Sequence, residues 1–218
     1  MSQKVCVVLS GCGFLDGAEI HESVATLLAL SKAGADYTVA APDKVQHHVV
    51  NHHTQSEMTG ESRNVLVEAA RIARGPVADV ATIQAADFDA LFFPGGFGAA
   101  KNLSSFAFKG SGGDIDPQVA RLIKEFHQSG KPIGAVCIAP ALLALALGKG
   151  TVTIGSDTGT AGHLEKLGST HQVCPVTEAV IDNANKLVTA PAYMEDAKVH
   201  EVAQGIESAV HAVLEMCG

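Results

Sequence analysis

Cys137 lies in the stretch GAVCIAPAL, residues 134–142, between a short apolar run and a proline that opens a second apolar run. Small and β-branched residues before the cysteine are typical of a buried strand, and the residues after it can begin a helix. This pattern is typical of a nucleophile elbow. Because a helix N-terminus favours negative charge, we expect this thiol to have a lowered pKa and to be reactive. A buried structural cysteine is the alternative that the local pattern leaves open.

Two further groups of residues could complete a site around this thiol. PGGFG at residues 94–98 could bring backbone N–H groups close to a substrate, as an oxyanion hole requires, or could form an ordinary turn. Asp16, Glu19 and Glu22 lie near the start of the first predicted helix. Glu19 and Glu22 share a helix face, where one of them could act as an acid/base. Carboxylates in a first turn also stabilise the helix dipole, so a structural role stays open for each.

The elements that would position these residues alternate between short β-branched runs and longer segments whose apolar residues recur at three and four. The predicted strands are 5–9, 37–41, 89–93, 132–136 and 151–154, with a hairpin around 182–185. The predicted helices are 18–33, 64–73, 116–129, 140–147, 161–167 and 195–216. This βαβα order predicts one domain, residues 1–218, with a parallel sheet between helical layers. Residues 10–13, 94–98 and 137–140 should then share the rim at the carboxyl ends of the strands.

Composition and charge exclude several classes of function. The formal charge is −8 and the 15 Lys and Arg residues form no basic run, so we expect no nucleic-acid partner. Five cysteines without a CxxC pair fit a reducing compartment. The segment MSQKVCVVLS lacks the features of a secretory signal or presequence, and the longest apolar stretch, 135–148, is too short for a membrane span. We therefore expect a cytoplasmic protein without membrane association.

Three segments together resemble one known superfamily: SGCGFLDGAEIHES, FDALFFPGGFGAAKNLSSFA and KPIGAVCIAPALL. They are similar to the class I glutamine amidotransferase-like proteins, in the branch of PfpI-type peptidases, deglycases and cofactor-independent glyoxalases. With VNH at 50–52, ESRNVL and TAPAYM, the resemblance is closer still to the enhancing lycopene biosynthesis (ElbB) family and its mitochondrial relatives. These motifs occur in the same order over nearly the whole chain.

This resemblance implies a flavodoxin-like three-layer sandwich with Cys137 as the nucleophile at an elbow. It implies Glu22, rather than Glu19, as the carboxylate in contact with the thiol, and the N–H groups of Gly96 and Ile138 as an oxyanion hole. One departure concerns residues 153–157, TIGSD, where deglycase-like members carry a histidine. The later histidines, His163, His171, His200 and His211, lie on predicted helices or at a strand start. None is therefore expected to form the His-x-Glu pair that completes the glutaminase triad, which disfavours glutamine hydrolysis.

The function that these features predict is a glyoxalase-type lyase. The Cys137 thiolate would add to glyoxal or methylglyoxal, Glu22 would move a proton between the two carbons, and water would release the 2-hydroxy acid. We expect no metal or organic cofactor, a small dicarbonyl as substrate, and a homodimer. Two alternatives stay open: a hydrolase or amidase of the same superfamily, and a thiol-based sensor or interaction protein that affects isoprenoid output.

Other residues are weaker candidates. Possible pocket residues are Cys12, Glu19, His21, Gly95, Asn102 and Asp157. Cys12 could be a resolving thiol in a redox cycle or a small residue in a tight turn. HHVVNHH at 47–53 places four imidazoles in seven residues. It could bind a metal, but a solvated loop or a pocket wall is the simpler interpretation.

Overall fold

The computed structural model describes residues 2–217 as a central sheet covered by helices. The strands are β1 (Lys4–Val8), β2 (Asp36–Ala41), β3 (Val50–Asn51), β4 (Ser56–Glu57), β5 (Ala78–Asp79), β6 (Ala90–Phe93), β7 (Ile133–Val136), β8 (Thr151–Val152), β9 (Thr170–His171), β10 (Val180–Asp182) and β11 (Leu187–Ala190). The helices are α1 (Ile20–Lys32), α2 (Val65–Ala73), α3 (Phe97–Lys101), α4 (Phe106–Lys109), α5 (Pro117–Gln128), α6 (Pro140–Leu147), α7 (Thr158–Lys166) and α8 (Val199–Glu215).

The main sheet has the strand order β10-β11-β7-β6-β1-β2-β5. Its strands are all parallel to their neighbours except β10, which pairs antiparallel with β11 at one edge. The predicted flavodoxin-like sandwich with a mainly parallel sheet is therefore confirmed. From the centre of the sheet, the chain leaves β1 toward β2 and leaves β6 toward β7, in opposite directions. Such a reversal opens a crevice at the carboxyl ends of the two central strands, where α/β proteins bind ligands.

The central strands are apolar on both faces because helices cover both faces of the sheet. β6 and β7 are buried along their whole length. Within β7, a Cβ at Gly134 would collide with the ring of Phe92 and touch Val213. Glycine at this position therefore lets β6 and α8 pack closely on the strand. On the helical layers, α1 packs along α8, and α5 packs on α6.

Several element boundaries differ from the sequence-based expectation. The last helix begins at Val199 rather than at residue 195, because Glu195 and Lys198 have extended backbones after the 3-10 turn Ala192–Met194. The helix predicted at 161–167 begins at Thr158, where the Asp157 carboxylate accepts a hydrogen bond from Gly159 N at 2.9 Å. The strand predicted at 151–154 shortens to β8, which pairs with β9 outside the main sheet. The predicted hairpin around 182–185 is confirmed by the β10–β11 pair.

Candidate functional site

Cys137 occupies a sharp turn between β7 and α6. Its backbone has φ of 59°, a conformation that non-glycine residues rarely adopt. The turn is held in place by the sheet, because Cys137 N donates to Ala190 O of β11 at 3.0 Å. The residue is 7% exposed. This strand, strained turn and helix form the predicted elbow, and strain of this kind is common where a side chain must be presented to a substrate.

Glu22 is fully buried in the first turn of α1 and is held by two other segments. Its Oε2 accepts a hydrogen bond from Gly95 N at 2.9 Å, and its Oε1 accepts one from Tyr193 N at 3.1 Å. Glu19 is the N-cap of α1, and its carboxylate accepts a hydrogen bond from Glu22 N at 2.6 Å. This bond fixes the backbone that carries the Glu22 side chain. The loops after β6 and β11 thus hold the Glu22 carboxyl beside Cys137, and a Cβ built on Gly95 would lie within 3 Å of both Glu22 Oε2 and Cys137 Sγ.

The N–H groups of Gly96 and Ile138 are directed at the Cys137 sulfur, where both act to lower the pKa of the thiol. Two neighbouring glycines make this approach possible. Gly96 has φ of 95°, which favours glycine, and its N–H follows the β6 strand. A Cβ at Gly95 would collide with the Cys137 side chain and lie 2.6 Å from Glu22 Oε2. The predicted pair of oxyanion donors therefore lies beside the sulfur.

Burial controls the protonation of both reactive side chains. It raises the pKa of Glu22 to about 7 against the hydrogen bonds that the carboxylate accepts. The pKa of Cys137 lies well above its usual value, because burial and the nearby Glu22 charge outweigh the Gly96 and Ile138 amides. The expectation of a lowered thiol pKa is therefore wrong. The pair keeps one proton above pH 7, and when Glu22 is ionised that proton is on the thiol.

A cavity of about 590 Å³ opens onto Cys137. It is lined by Phe14, Glu19, Gly96, Phe97, Cys137, Ile138, Asp157, Thr160, Tyr193 and Met194. Glu19 and Asp157, which were candidate pocket residues, do line it. Tyr193 and Met194 were not singled out, although the TAPAYM segment that contains them belongs to the resemblance described above. Phe14 and Phe97 were also missed, because in SGCGF and PGGFG the glycines indicated tight turns and the aromatic residues gave no separate signal of a pocket.

The other candidate pocket residues lie elsewhere. Gly95 is buried behind the thiol. His21 lines a neighbouring cavity, where its Nδ1 lies 3.1 Å from Tyr193 Oη. The Asn102 side chain is buried and organises the loops, since its amide donates to Ser10 O and Asp16 O and accepts from His47 N. Cys12 does not line the cavity around Cys137.

The histidine-rich segment forms part of the β3–β4 hairpin region. His47 and His48 pack against Phe108, and His52 Nε2 accepts from Leu15 N at 3.3 Å. Within residues 2–217, no group of three His, Cys, Asp or Glu side chains is placed to hold a metal ion. In the same part of the chain, no helix is both long enough and apolar enough to cross a membrane.

A flavodoxin-like sandwich with a cysteine at an elbow, a buried glutamate and two amides beside the sulfur defines a class of thiol-dependent α/β proteins. The sequence model of the DJ-1/PfpI family matches residues 3–198. The chain therefore belongs to the DJ-1/PfpI family, which agrees with the broader part of the resemblance stated from the sequence.

Three relatives cover almost all of this chain. It is 49% identical to the human protein named glutamine amidotransferase-like class 1 domain-containing protein 3, mitochondrial, over 99% of this chain and 84% of that protein. It is 47% identical to the rat ES1 protein homolog, mitochondrial, with the same coverage. The crystal structure of an isoprenoid biosynthesis protein with an amidotransferase-like domain from Ehrlichia chaffeensis covers 100% of both chains, with 38% identity and a TM-score of 0.93.

These comparisons correct one prediction. A cytoplasmic location was expected from the cysteine usage and from the first residues of the chain. The curated relatives are named as mitochondrial proteins, which contradicts that expectation. The number and spacing of the cysteines and the character of the first ten residues are thus too weak a basis for assigning a location.

Proposed function

We propose that this protein is a cofactor-independent glyoxalase, a lyase that converts glyoxal, and also methylglyoxal, to the 2-hydroxy acid. The observation that carries this proposal is the surroundings of the Cys137 sulfur. The Glu22 carboxyl lies beside the thiol, and the Gly96 and Ile138 N–H groups lie close enough to the sulfur to lower the pKa of the thiol. A nucleophile, an acid/base and two oxyanion donors are the groups that an addition to a carbonyl requires.

The first step follows from the protonation of the pair. Ionised Glu22 takes the thiol proton as the Cys137 sulfur adds to the aldehyde carbon of the substrate. The carbonyl oxygen becomes an oxyanion, which the Gly96 and Ile138 N–H groups stabilise. The oxyanion then takes the proton from Glu22, which completes the hemithioacetal and leaves Glu22 ionised for the next step. Because the pKa of Glu22 is about 7, the carboxyl can both accept and donate a proton at neutral pH.

The second step is an isomerisation within the bound substrate. Glu22 removes the proton from the hemithioacetal carbon and returns a proton to the neighbouring carbon through an enediol. One carbon is oxidised and the other is reduced, so no external oxidant is consumed, and the product is a thioester of Cys137. Water then breaks the carbon–sulfur bond and releases glycolate from glyoxal, or lactate from methylglyoxal.

The two alternatives have less support from the site. An amidase must protonate a leaving amine, and among residues 2–217 no histidine lines the cavity around Cys137. A peroxide sensor reacts through its thiolate, whereas the pKa of Cys137 is raised. Cys12, the proposed resolving thiol, does not line that cavity either.

The test is acid production from glyoxal by the purified protein. We expect glycolate from the wild type, none above background from Cys137→Ala, and wild-type rates from Cys12→Ala, which removes a thiol outside the cavity. Full activity in Cys137→Ala would overturn the proposal.

We propose separately the finer assignment to the ElbB family, with the influence on isoprenoid output that the sequence left open as an alternative. Its support is the 38% identity, over both full chains, to the Ehrlichia isoprenoid biosynthesis protein. Lycopene content in a carotenoid-producing bacterium should change when the wild type is expressed, but not when Cys137→Ala is expressed. Equal lycopene content in both strains would contradict this assignment.

We also propose that the protein is a homodimer. α1 carries an exposed apolar stripe of Ile20, Val24 and Leu28 at helical spacing, on the face turned away from its own core. Contact with a second copy would bury this stripe. Sedimentation should show a dimer for the wild type and a monomer for Leu28→Glu, and a monomeric wild type would contradict the assignment.

A further inference from the structure

The cavity around Cys137 is much larger than the substrate proposed above. Its volume is about 590 Å³. A water molecule occupies roughly 30 Å³ in the liquid, and ligand pockets for drug-sized molecules measure roughly 300 to 1,000 Å³. Glyoxal has only two carbon and two oxygen atoms. A dicarbonyl bound to Cys137 would therefore leave most of the cavity free for a substituent.

The free part of the cavity has aromatic and other apolar walls. Phe14, Phe97, Tyr193, Met194 and Ile138 line it. Phe14 and Phe97 are 41% and 47% exposed, so much of each ring is open to solvent. The two loops that carry these rings are joined, because Phe97 N donates to Phe14 O at 2.8 Å. Exposed rings on a fixed backbone beside a reactive group gain most from burying an apolar substituent.

The charged groups of the cavity are carboxylates. Glu19 and Asp157 line it, and no lysine or arginine within residues 2–217 does. Asp157 stays ionised, since hydrogen bonds from the Thr160 hydroxyl and Gly159 N lower its pKa. A neighbouring cavity of about 530 Å³ shares Glu19 and adds Glu195 and Asp196. Lys101 lies outside the lining of the cavity; its Nζ lies 5.2 Å from the centre of the Phe97 ring and donates to Leu15 O.

From this cavity we infer that the protein selects an uncharged 1,2-dicarbonyl with an aromatic or other bulky apolar substituent, and discriminates against dicarbonyls that carry a carboxylate or phosphate. The chemical step rests on the proposed function: the sulfur adds to the aldehyde, and the proton transfer gives the substituted 2-hydroxy acid after hydrolysis. The selectivity itself is a property of the cavity and can be measured without turnover.

Alkylation of Cys137 measures this selectivity directly. The probes are iodoacetamide, iodoacetate and N-benzyl iodoacetamide, with the rate read from the Cys137 peptide by mass spectrometry and divided by the rate for glutathione. Two carboxylates at the cavity repel a third at short range. We expect iodoacetate to be disfavoured by about tenfold and the benzyl reagent to be favoured over iodoacetamide. Equal glutathione-corrected rates for the three reagents would overturn the inference.

Matched variants separate the charge of the cavity from its apolar walls. Asp157→Asn keeps a helix cap but removes the charge, and we expect iodoacetate to gain about threefold relative to iodoacetamide. Asp79→Asn makes the same change at a cap outside the cavity and should leave the ratio unchanged. Phe97→Ala should remove the preference for the benzyl reagent. Phe108→Ala, which alters a similarly exposed ring outside this cavity, should keep it.

Turnover distinguishes a failure of this inference from a failure of the proposed function. If both hold, kcat/KM for phenylglyoxal exceeds that for glyoxal, and 4-carboxyphenylglyoxal is the poorest of the three. Selective alkylation without acid from any dicarbonyl would support the inference and overturn the proposed function. Turnover of all three dicarbonyls at equal kcat/KM, with unselective alkylation, would overturn the inference alone.

Discussion

Two cysteines follow the carboxyl ends of strands in the same sheet, Cys12 after β1 and Cys137 after β7, but their surroundings differ. Cys137 follows β7 at a strained elbow, and its sulfur is contacted by the Glu22 carboxyl and approached by the Gly96 and Ile138 amides. Cys12 follows β1 in a glycine-rich turn outside the cavity, and burial raises the pKa of its thiol. The difference shows that a position at the carboxyl ends of the strands does not by itself give a cysteine the contacts of a nucleophile. In the proposed function, reactivity at Cys137 depends on two further segments, α1 and the loop after β6, which meet at its sulfur.

Among changes around the Cys137 sulfur, Glu22→Gln is expected to have the largest effect on the rate of glycolate formation. The variant keeps the size of the side chain but removes the group that takes the thiol proton, and loss of an acid/base typically lowers kcat by about 10² to 10⁴. The measurement is the steady-state rate of glycolate formation from glyoxal at pH 7. A rate within about twofold of the wild type would show that Glu22 has no acid/base role.

The buried Glu22 carboxyl should also make the stability of the wild type depend on pH. Its pKa rises from 4.5 to about 7 on folding, so between these values the folded state binds more protons than the unfolded state. The free energy of unfolding should therefore fall by about 3 kcal/mol as pH rises from below 4.5 through 7. Glu22→Gln should lack this fall in urea titrations at pH 4.5 and pH 8.

The control for that titration is Glu215→Gln, which removes an exposed carboxylate at the end of α8. It should keep the pH dependence of the wild type. If Glu22→Gln kept that dependence as well, the raised pKa of Glu22 would be contradicted.

A smaller change in the same region is Gly95→Ala. The added methyl group would meet the Cys137 side chain and Glu22 Oε2, so the thiol and the carboxyl must separate. Overpacking of this kind typically costs about 1 to 3 kcal/mol. We expect a lowered Tm together with a lowered kcat. Gly75→Ala, where no atom lies within 4 Å of the new Cβ, should change neither quantity, and equal behaviour of the two variants would contradict the close packing at Gly95.

The smallest effect on activity is expected from a change at Cys12. Cys12→Ala removes a half-buried thiol that does not line the cavity, so glycolate formation should be unchanged. Sensitivity to hydrogen peroxide should be unchanged too, since no resolving thiol is lost beside Cys137. A faster irreversible oxidation of Cys137 in this variant would restore the sensor hypothesis.

The sequence was sufficient to predict the parallel sheet, the turn that carries Cys137, and the end of the sheet at which the site lies. Buried parallel strands such as β6 and β7 are continuous apolar runs, and Cys137 sits directly between such a run and a helix. Glu19 and Glu22 could not be distinguished by spacing, because both lie at the start of one helix. Their separate positions depend on Gly95 N and Tyr193 N, which come from distant segments of the chain.

Other features could not be predicted because they arise only from packing. The raised pKa of Cys137 comes from burial and from the charge of Glu22, whereas the sequence shows only the helix that follows. Tyr193 and Met194 lie in a 3-10 turn after β11 that the sequence pattern did not predict, and both line the cavity. Asn102 could be identified as a polar residue on the rim, but only the fold shows that its amide binds the backbone of two loops.

The most direct test of the account is a chemical quench of the protein with glyoxal, followed by mass spectrometry of the Cys137 peptide. The wild type should show a glycolyl thioester on Cys137 during turnover. Glu22→Gln should show neither this adduct nor glycolate above background, because Glu22 both takes the thiol proton and moves the carbon-bound proton. Cys137→Ala should form neither the adduct nor glycolate. Glycolate from Cys137→Ala at the wild-type rate, or a wild-type level of the thioester in Glu22→Gln, would contradict the central claim.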